Sequence, residues 1–344
     1  MPGAFDSRGI PPQTFYQGRT MAAERIAGRR GITRKRAGKR WRYFDPRGRE
    51  ITRPEEIDRL NRIGLPPAYT DCWLSPDPDS PVQAIGYDAR GRRQYRYHPD
   101  FRAVQEADKF DRCIEFGRRL PKLRAAVELD LAGDPYDRTT VIASVIRVLD
   151  ECRIRVGNRA YARANRSFGA TTLERRHMTL ERTRILFAFT GKSGKKQAVE
   201  VHDSRVIKIV RKLAKLPGKA VFQYRTADGA ISAITPGDIN AYIQDKIGQS
   251  FSAKCFRTWH ASAGALREAM RLLRGGRTPT VKELAEPVSQ DLGNTPAIAR
   301  KSYIHPDVLE AATNGELPPS PRPTKWLDQG EKALLQMHEE PGAA

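Results

Sequence analysis

The stretch SAKCFRTWHASAGALREAM (Ser252–Met270) has the apolar spacing of a long helix, which we predict from about residue 253 to residue 273. Lys254 and Arg257 stand three positions apart, so their side chains share one face of this helix. The small residues of 261–265 allow a neighbouring segment to approach closely. An arginine fixed at such a position presents a fork of donors that suits phosphate.

The composition of the chain indicates a polyanionic partner. Its 344 residues include 61 Lys and Arg against 40 Asp and Glu, a formal net charge of +21. Neutralising phosphates releases condensed counterions, so this excess favours nucleic acid. An anionic membrane surface is the rival, but the chain has no long apolar run and no signal-peptide core, so we expect no membrane partner. The four cysteines lack paired spacing, which predicts reduced thiols in the cytoplasm and no metal site.

The texture of the sequence changes along the chain and predicts an α+β protein with a small β-rich domain before a larger, mainly helical one. We expect a flexible basic arm at 1–30, an N-terminal β-rich DNA-binding domain at 31–100 and a mainly helical domain at 101–313. Residues 314–344 contain PPSPRPT, which is typical of a linker, and then a short tail helix from Trp326.

Two aromatic stretches in the N-terminal domain predict hairpins, Arg40–Thr52 with a turn at 45–48 and Ile85–His98 with a turn at 88–91. The segment between them predicts a short helix that ends at Gly64. The larger domain should contain a small antiparallel sheet within 177–202 that turns at 191–194. Its remaining helices are predicted at Phe101–Arg119, Lys122–Leu131, Arg138–Cys152, Ser204–Lys215, Pro236–Ile247 and from Val281 onward.

The stretch LGNTPAIARKSYIHP (Leu292–Pro306) predicts a short basic helix that ends on a tyrosine. Thr295 is a good N-cap and Pro296 fits the first helical position, so the helix should run to about Tyr303. Taken alone, this tyrosine is best explained as a core residue that hydrogen-bonds through its hydroxyl. Asn294 precedes the cap and places an amide at the start of the helix.

The stretch TGKSGK (Thr190–Lys195) contains the Gly-Lys-Ser ending of a phosphate-binding P-loop. That loop needs a glycine five residues before the Gly-Lys pair, and Leu186 stands there. Lys192 is also predicted at a hairpin tip and not at the start of a helix, so we expect no nucleotide cofactor. By itself, Lys192 is best interpreted as a solvated turn lysine.

The stretch RIRVGNRAYARANR (Arg153–Arg166) ends one helix and begins another through 156–158. Arg155 lies at this junction. Cationic side chains interleaved with an aromatic suit a helix that lies in or across a DNA groove. The candidate DNA contacts on this second helix are Arg159, Tyr161 and Arg163.

These residues, in this order, resemble the type IB DNA topoisomerases in their compact poxvirus-like and bacterial form, over about residues 35–313. The family's arginine-aliphatic-glycine step matches Arg155–Gly157, and its phenylalanine-x-glycine-lysine hairpin matches Phe189–Lys192. Its lysine-x-x-arginine-threonine box matches Lys254–Thr258. The family's DNA-contacting tyrosine hairpin matches Gln94–Tyr97, which carries Tyr95 and Tyr97.

The resemblance implies that Tyr303 is the nucleophile. In the family this tyrosine follows a histidine by nine positions, and here Asn294 occupies that place. An amide can donate a hydrogen bond to phosphate but cannot carry charge or transfer a proton, so the phosphate contact is expected and an acid/base role is not. The implied catalytic set is Tyr303, Arg155, Lys192, Arg257, Asn294 and Lys254.

The implied function is relaxation of supercoiled double-stranded DNA through a 3′-phosphotyrosine intermediate, without ATP, metal or other cofactor. The implied fold is a catalytic domain of the DNA breaking-rejoining type that clamps duplex DNA together with the N-terminal domain. We expect a monomer, associated with the bacterial nucleoid. A tyrosine recombinase is the nearest alternative, but its second box usually begins with histidine where Lys254 stands. A non-catalytic basic DNA-binding protein is the alternative from a different class.

Overall fold

A computed structural model describes residues 30–38 and 40–339. The described residues form two compact units, one ending at Lys109 and the other beginning at Phe110. The first is built on an antiparallel sheet and the second mainly on helices, so the predicted α+β class is confirmed. The predicted arm of 1–30 lies outside the described residues except for Arg30. Within the described ranges, no helix is both long and apolar enough to cross a membrane.

The first unit contains a helix and five strands: β1 (Ile32–Ala37), β2 (Arg40–Phe44), α1 (Pro54–Arg62), β3 (Thr70–Leu74), β4 (Val82–Tyr87) and β5 (Arg93–Tyr97). The strand order is β2-β1-β3-β4-β5, and neighbouring strands are antiparallel. Tyr43, Leu60 and Leu74 are buried in the core of this unit, which includes α1. Because β5 is the last strand in this order, it is an edge strand of the sheet.

The second predicted hairpin is confirmed as β4 and β5. The first predicted hairpin is wrong, because β2 does not form a ladder with the residues that follow its turn. The turn at 45–48 forms, with the carboxylate of Asp45 accepting from the backbone N–H of Arg47 and Arg49, but the chain then makes only an isolated bridge at Glu50. β2 pairs along its length with β1 instead. The run ITRKRA is mostly polar, and only Ile32 is buried, so its hydrophobic pattern was too weak to predict β1.

The second unit is mainly helical. Its helices are α2 (Pro99–Asp130, which begins in the first unit), α3 (Arg138–Cys152), α4 (Arg159–Asn165), α5 (Ser204–Leu213), α6 (Pro236–Ile247), α7 (Lys254–Arg274), α8 (Val281–Leu292), α9 (Pro296–Ser302), α10 (Pro306–Asn314) and α11 (Gln329–Gln336). The tail helix thus begins after Trp326, where the sequence placed its start. β6 (Met178–Leu180), β7 (Ile185–Thr190) and β8 (Lys196–Val201) form the predicted small sheet, and β9 (Gln223–Arg225) pairs with β10 (Ile231–Ala233).

The prediction of two helices on either side of Pro121 is wrong, because α2 continues through this proline. A proline removes one helical hydrogen bond and normally breaks or kinks a helix. Here Leu120 and Leu123 are both fully buried in the core, and Gly117 lies so close to Trp259 that an added Cβ would be 2.1 Å from its ring. Tertiary packing therefore overrides the local preference of the proline.

The tail is anchored to the core by a buried network of charges. Arg124 on α2 forms ion pairs with Asp150 and Glu331, each at 2.8 Å. Glu331 on α11 also accepts a hydrogen bond from Nε1 of Trp259 at 2.8 Å, and His260 Nε2 lies 2.8 Å from Asp150. The network joins α2, α3, α7 and α11, so the tail belongs to the second unit.

We expect Glu331→Ala to lower the free energy of unfolding by about 3–5 kcal/mol, because it leaves part of the charge of Arg124 buried without a partner. Urea unfolding followed by circular dichroism measures the change. The matched control is Glu316→Ala, which removes an exposed acid from the same tail and should change stability by less than about 0.5 kcal/mol. Superimposable curves for Glu331→Ala and the wild type would contradict this role of the network.

Candidate active site

The helix that leads to Tyr303 forms as predicted. Thr295 accepts a hydrogen bond from the backbone N–H of Ile298 at 3.3 Å, and Pro296 begins α9. Tyr303 caps the other end, where its N–H donates to the carbonyl of Ala299 at 3.0 Å. The tyrosine ring packs against the core but is only partly buried. The residue therefore stays accessible at the end of a fixed helix.

Ser262 holds the backbone on both sides of Tyr303. It is fully buried on α7, and its Oγ accepts a hydrogen bond from the N–H of His305 at 2.9 Å. The same Oγ lies 3.3 Å from the carbonyl oxygen of Tyr303. The small residues of 261–265 were predicted only to allow close packing, so Ser262 was not predicted as a positioning residue.

Arg257 is the central cation of the site. Its residue is only 4% exposed, and its guanidinium lies 5.1 Å from the ring centre of Tyr303. It donates to the carbonyl of Arg153 and, at 2.8 Å, to the carbonyl of Leu292. Among the described residues it forms no ion pair with a carboxylate, and its Nε has no hydrogen-bond partner. The site therefore holds a buried positive charge that neutral carbonyls fix but do not neutralise.

The loop that carries Arg155 is fixed by its backbone. The carbonyl of Arg155 accepts from the N–H of Ala170 at 2.9 Å, and the carbonyl of Val156 accepts from the N–H of Thr171 at 2.8 Å. Gly157 has a φ of +94°, which favours glycine. A Cβ on Gly169 would lie 2.4 Å from the carbonyl oxygen of Arg155 and 2.6 Å from the nitrogen of Gly157. The two glycines thus allow the backbones to touch, and Gly169 was not identified from the sequence.

Asn294 lies directly after the end of α8. Its N–H donates to the carbonyl of Ser289 at 2.9 Å, and Gly293 before it has a φ of +58°. Both the oxygen and the nitrogen of its side-chain amide are buried without a hydrogen-bond partner in the described chain. A buried amide normally satisfies these groups, so this one is available to a ligand. The carbonyl of Leu292, two residues earlier, is bound by Arg257.

Lys192 and Lys254 are both exposed. Lys192 lies in the tight turn between β7 and β8, in which Ser193 and Gly194 have φ values of 63° and 75°. The structure therefore confirms a hairpin tip and not a helix start. Lys254 is the first residue of α7, one turn before Arg257. Within the described ranges, neither lysine forms an ion pair, and Lys254 does not join the Arg257–Tyr303 contact.

The electrostatics of the site stabilise the phenolate form of Tyr303. Burial by itself raises the pKa of Tyr303, but the charges and hydrogen bonds of Arg257 and Arg155 outweigh it and hold the pKa below its usual value near 10. Burial also lowers the pKa of Arg257, and the nearby charge of Arg155 lowers it further. The structure thus brings together Tyr303, Arg257 and Arg155, with Asn294 next to a segment that Arg257 binds.

The candidate DNA contacts lie on two elements. In the first unit, Tyr95 and Tyr97 stand on the same side of edge strand β5, with ring centres 5.9 Å apart, and Tyr97 is 41% exposed. In the second unit, Arg159 and Arg163 lie four positions apart on α4 and line one surface cavity. Tyr161 projects from a different side of this helix. The same cavity is lined by Arg166, which ends the basic stretch of 153–166, and by two cations that were not predicted from the sequence, Arg176 and Lys219.

One group of potential metal ligands occurs among the described residues: His305, Asp307 and His338 offer ligand atoms within 4.8 Å of one another. Their contacts also have a structural explanation. Nδ1 of His305 caps α10 by accepting from the N–H of Asp307 at 3.3 Å, and Nε2 of His338 lies 3.3 Å from the Asp307 carboxylate. His338 is far from the other two residues in the sequence, so spacing alone could not reveal the cluster.

Comparison with known proteins gives the family. The chain is 32% identical over 295 residues to DNA topoisomerase 1B of Acanthamoeba polyphaga mimivirus, an alignment that covers 83% of this chain and 88% of the viral protein. The chain belongs to the type IB DNA topoisomerases. Residues 98–301 match the catalytic core of eukaryotic DNA topoisomerase I, and residues 40–88 match the N-terminal domain of bacterial DNA topoisomerase IB.

Two further comparisons give lower similarity to this topoisomerase. DNA topoisomerase 1B of Vaccinia virus (strain Copenhagen) is 24% identical over 233 residues, which cover 66% of this chain and 71% of that protein. A solved structure of the XerH site-specific recombinase bound to a difH substrate gives a TM-score of 0.35 at 16% identity and covers 57% of this chain and 50% of that one. The family resemblance inferred from the sequence is confirmed, and the chain is a DNA topoisomerase of type I.

We expect Arg155→Met to raise the pKa of Tyr303, because the phenolate loses one of the two cations that stabilise it. The measurement is a pH titration of ¹³C-labelled tyrosine by NMR without DNA, with the resonance of Tyr303 assigned by its absence in Tyr303→Phe. Arg163→Met on α4 is the matched control and should leave this titration unchanged. An unshifted titration in Arg155→Met would exclude Arg155 as a partner of the phenol.

Proposed function

We propose that this topoisomerase relaxes supercoiled duplex DNA through a covalent 3′-phosphotyrosine intermediate on Tyr303, without ATP or metal. The observation that carries the proposal is the buried guanidinium of Arg257, which has no carboxylate partner in the described chain and lies 5.1 Å from the tyrosine ring. A buried charge of this kind is costly unless an anion meets it. The phenolate and the scissile phosphate are the two anions that the reaction brings to this place.

In the proposed cleavage step, the oxygen of Tyr303 attacks phosphorus as the bond from phosphorus to the 5′-oxygen breaks. The phenol gives its proton to solvent as it attacks, and the lowered pKa of Tyr303 makes this loss easier. The leaving 5′-oxygen takes a proton from the ammonium group of Lys192. Donors preorganised around the nonbridging oxygens stabilise the charge that develops on them. In this proposal those donors are Arg155, Arg257, Asn294 and Lys254.

Resealing is the same step in reverse. The 5′-hydroxyl gives its proton to the neutral amine of Lys192 and attacks phosphorus, and Tyr303 leaves as a phenolate that Arg257 and Arg155 stabilise. The phosphotyrosine keeps the energy of the phosphodiester bond, so the reaction needs no ATP. Between the two steps, the free end of the cut strand rotates about the intact strand and supercoils are lost.

The proposal assigns DNA contacts to both units. The exposed pair Tyr95 and Tyr97 offers aromatic surface, and the cavity lined by Arg159 and Arg163 offers cations for the phosphate backbone. Tyr161 on the same helix is the third proposed contact of α4. Binding should weaken steeply with salt because each phosphate contact releases counterions.

We further propose that the enzyme works as a monomer in the cytoplasm, on DNA of the bacterial nucleoid. The absence of disulfides among the four described cysteines supports a reducing compartment. A single described chain already contains the tyrosine, its two arginines and the general acid of the proposed mechanism. The site therefore needs no residue from a second copy, which supports the monomer.

The experiment that tests the mechanism is plasmid relaxation in EDTA without ATP, together with denaturant trapping on an end-labelled duplex. We expect the wild type to relax DNA of either supercoil sign and to become linked to a 3′ phosphate. Tyr303→Phe should stay folded and bind DNA, yet form no adduct, because it keeps the ring but loses the nucleophile.

A core role for this hydroxyl predicts a different result. Tyr303→Phe would then lose about 0.5–1.5 kcal/mol of stability with relaxation intact. Covalent linkage that survives in Tyr303→Phe, or that forms on a 5′ end, would contradict the mechanism. Strict dependence on ATP or a divalent cation would contradict the cofactor-free proposal.

We expect Asn294→Ala to slow both cleavage and resealing by about 10²–10³-fold, because it removes one donor to the transition state. Asn294→His should retain substantial activity, since the position requires a hydrogen-bond donor and not a charge. Single-turnover rates at saturating DNA measure both variants. An inactive histidine variant beside an active alanine variant would show that the amide does not contact the phosphate.

A further inference from the structure

Gln197 on β8 lies between two glycines that each precede a proposed catalytic residue. A Cβ on Gly191 would be 3.0 Å from Nε2 of Gln197, and a Cβ on Gly293 would be 2.3 Å from the same atom. The side chain therefore packs against both α-carbons at once. On one side the next residue is Lys192, and on the other it is Asn294.

The approach of Gln197 bears differently on the two glycines. Gly293 has a left-handed φ of +58°, which favours glycine for its backbone alone. Gly191 has an ordinary φ of −89°, so its backbone would accept a side chain. Its Cβ would meet the Nε2, Cδ and Cγ atoms of Gln197, the nearest atoms around it. A side chain at position 191 would therefore press against the end of the Gln197 side chain.

Packing is what Gln197 contributes. Its carboxamide makes no hydrogen bond to any described residue, and its side chain is only partly exposed. Its backbone is fixed opposite Phe189 by the pairing of β7 with β8. The side chain therefore extends from a rigid strand across Gly191 to the segment that ends α8.

We propose that Gln197 is a positioning residue that holds the hairpin of Lys192 against the Gly293–Asn294 segment. This inference rests on the proposed role of Lys192 as the general acid. Lys192 is exposed at a hairpin tip, and within the described chain it forms no ion pair that would fix it. A general acid must reach the leaving oxygen at hydrogen-bond distance, and a displacement of about 1 Å can cost about 10²-fold in rate. The contact across Gly191 adds a constraint between the hairpin and the Gly293–Asn294 segment.

The test uses Gln197→Ala, which removes the contact, and Gln197→Met, which keeps the length and volume of the side chain. Gln290→Ala is the matched control, since it makes the same change at an exposed position of α8. We expect Gln197→Ala to slow single-turnover cleavage at saturating DNA by about 10- to 100-fold. DNA affinity should be unchanged, and Gln197→Met and Gln290→Ala should stay within about threefold of the wild type.

A second substrate shows whether the loss passes through Lys192. In this substrate, sulfur replaces the 5′-oxygen that bridges to phosphorus, so the leaving group is a thiolate. A thiolate is stable enough to leave without a proton. Lys192→Ala, measured in parallel, should be slow on the oxygen substrate and recover on the sulfur substrate. Gln197→Ala should recover in the same way, whereas a merely unstable variant would stay slow on both.

The outcomes separate the two proposals. Normal cleavage by Gln197→Ala beside a slow Lys192→Ala would overturn the positioning role and leave the acid intact. A Gln197→Ala defect that persists on sulfur, or a Gln197→Met variant as slow as the alanine variant, would also overturn it. Normal cleavage of the oxygen substrate by Lys192→Ala would overturn the proposed role of Lys192 as general acid. The positioning role of Gln197 would then fall with it.

Discussion

The active site depends on one buried charge. Arg257 lies on the central helix of the catalytic unit without a carboxylate partner in the described chain, and it is held by the carbonyls of Arg153 and Leu292. Those two carbonyls belong to the segments that carry Arg155 and Asn294. One guanidinium thus fixes the two segments relative to each other and also lies over the ring of Tyr303. Desolvation makes such an arrangement costly, and the arriving phosphate offsets that cost during the reaction.

The same helix, α7, stabilises the fold on its other side. Trp259 and His260, directly after the box that contains Arg257, join the buried network of Arg124, Asp150 and Glu331. One turn later, Ser262 holds the backbone around Tyr303. A second link runs through the end of α3, where Asp150 of the network precedes Arg155 of the site by five residues. The positions of the catalytic groups are therefore tied to the most buried polar contacts of the unit.

Features encoded by neighbouring residues were predicted correctly from the sequence. Contacts between distant segments were not predicted. The cap at Thr295-Pro296 and the turn at 88–91 are encoded by neighbouring residues, and both formed as predicted. The continuation of α2 through Pro121 depends on buried leucines and on Trp259, which lies more than a hundred positions away. The backbone contact of Gly157 with Gly169, and the contact of the Gln197 side chain with Gly293, join segments whose approach has no periodicity in the sequence. The motifs gave the chemical groups of the site, and tertiary packing decided which of them meet.

Asn294 fits the electrostatics that Arg257 and Arg155 create. Its amide is buried beside a site that already holds two guanidinium groups, and a third positive charge there would raise the desolvation cost and the mutual repulsion. A neutral donor avoids both costs and still offers a hydrogen bond to phosphate. It cannot supply a proton, so in the proposed mechanism proton transfer to the 5′-oxygen rests with Lys192 alone. That division explains why the placement of this exposed hairpin lysine matters, because no other group in the proposed mechanism supplies the proton.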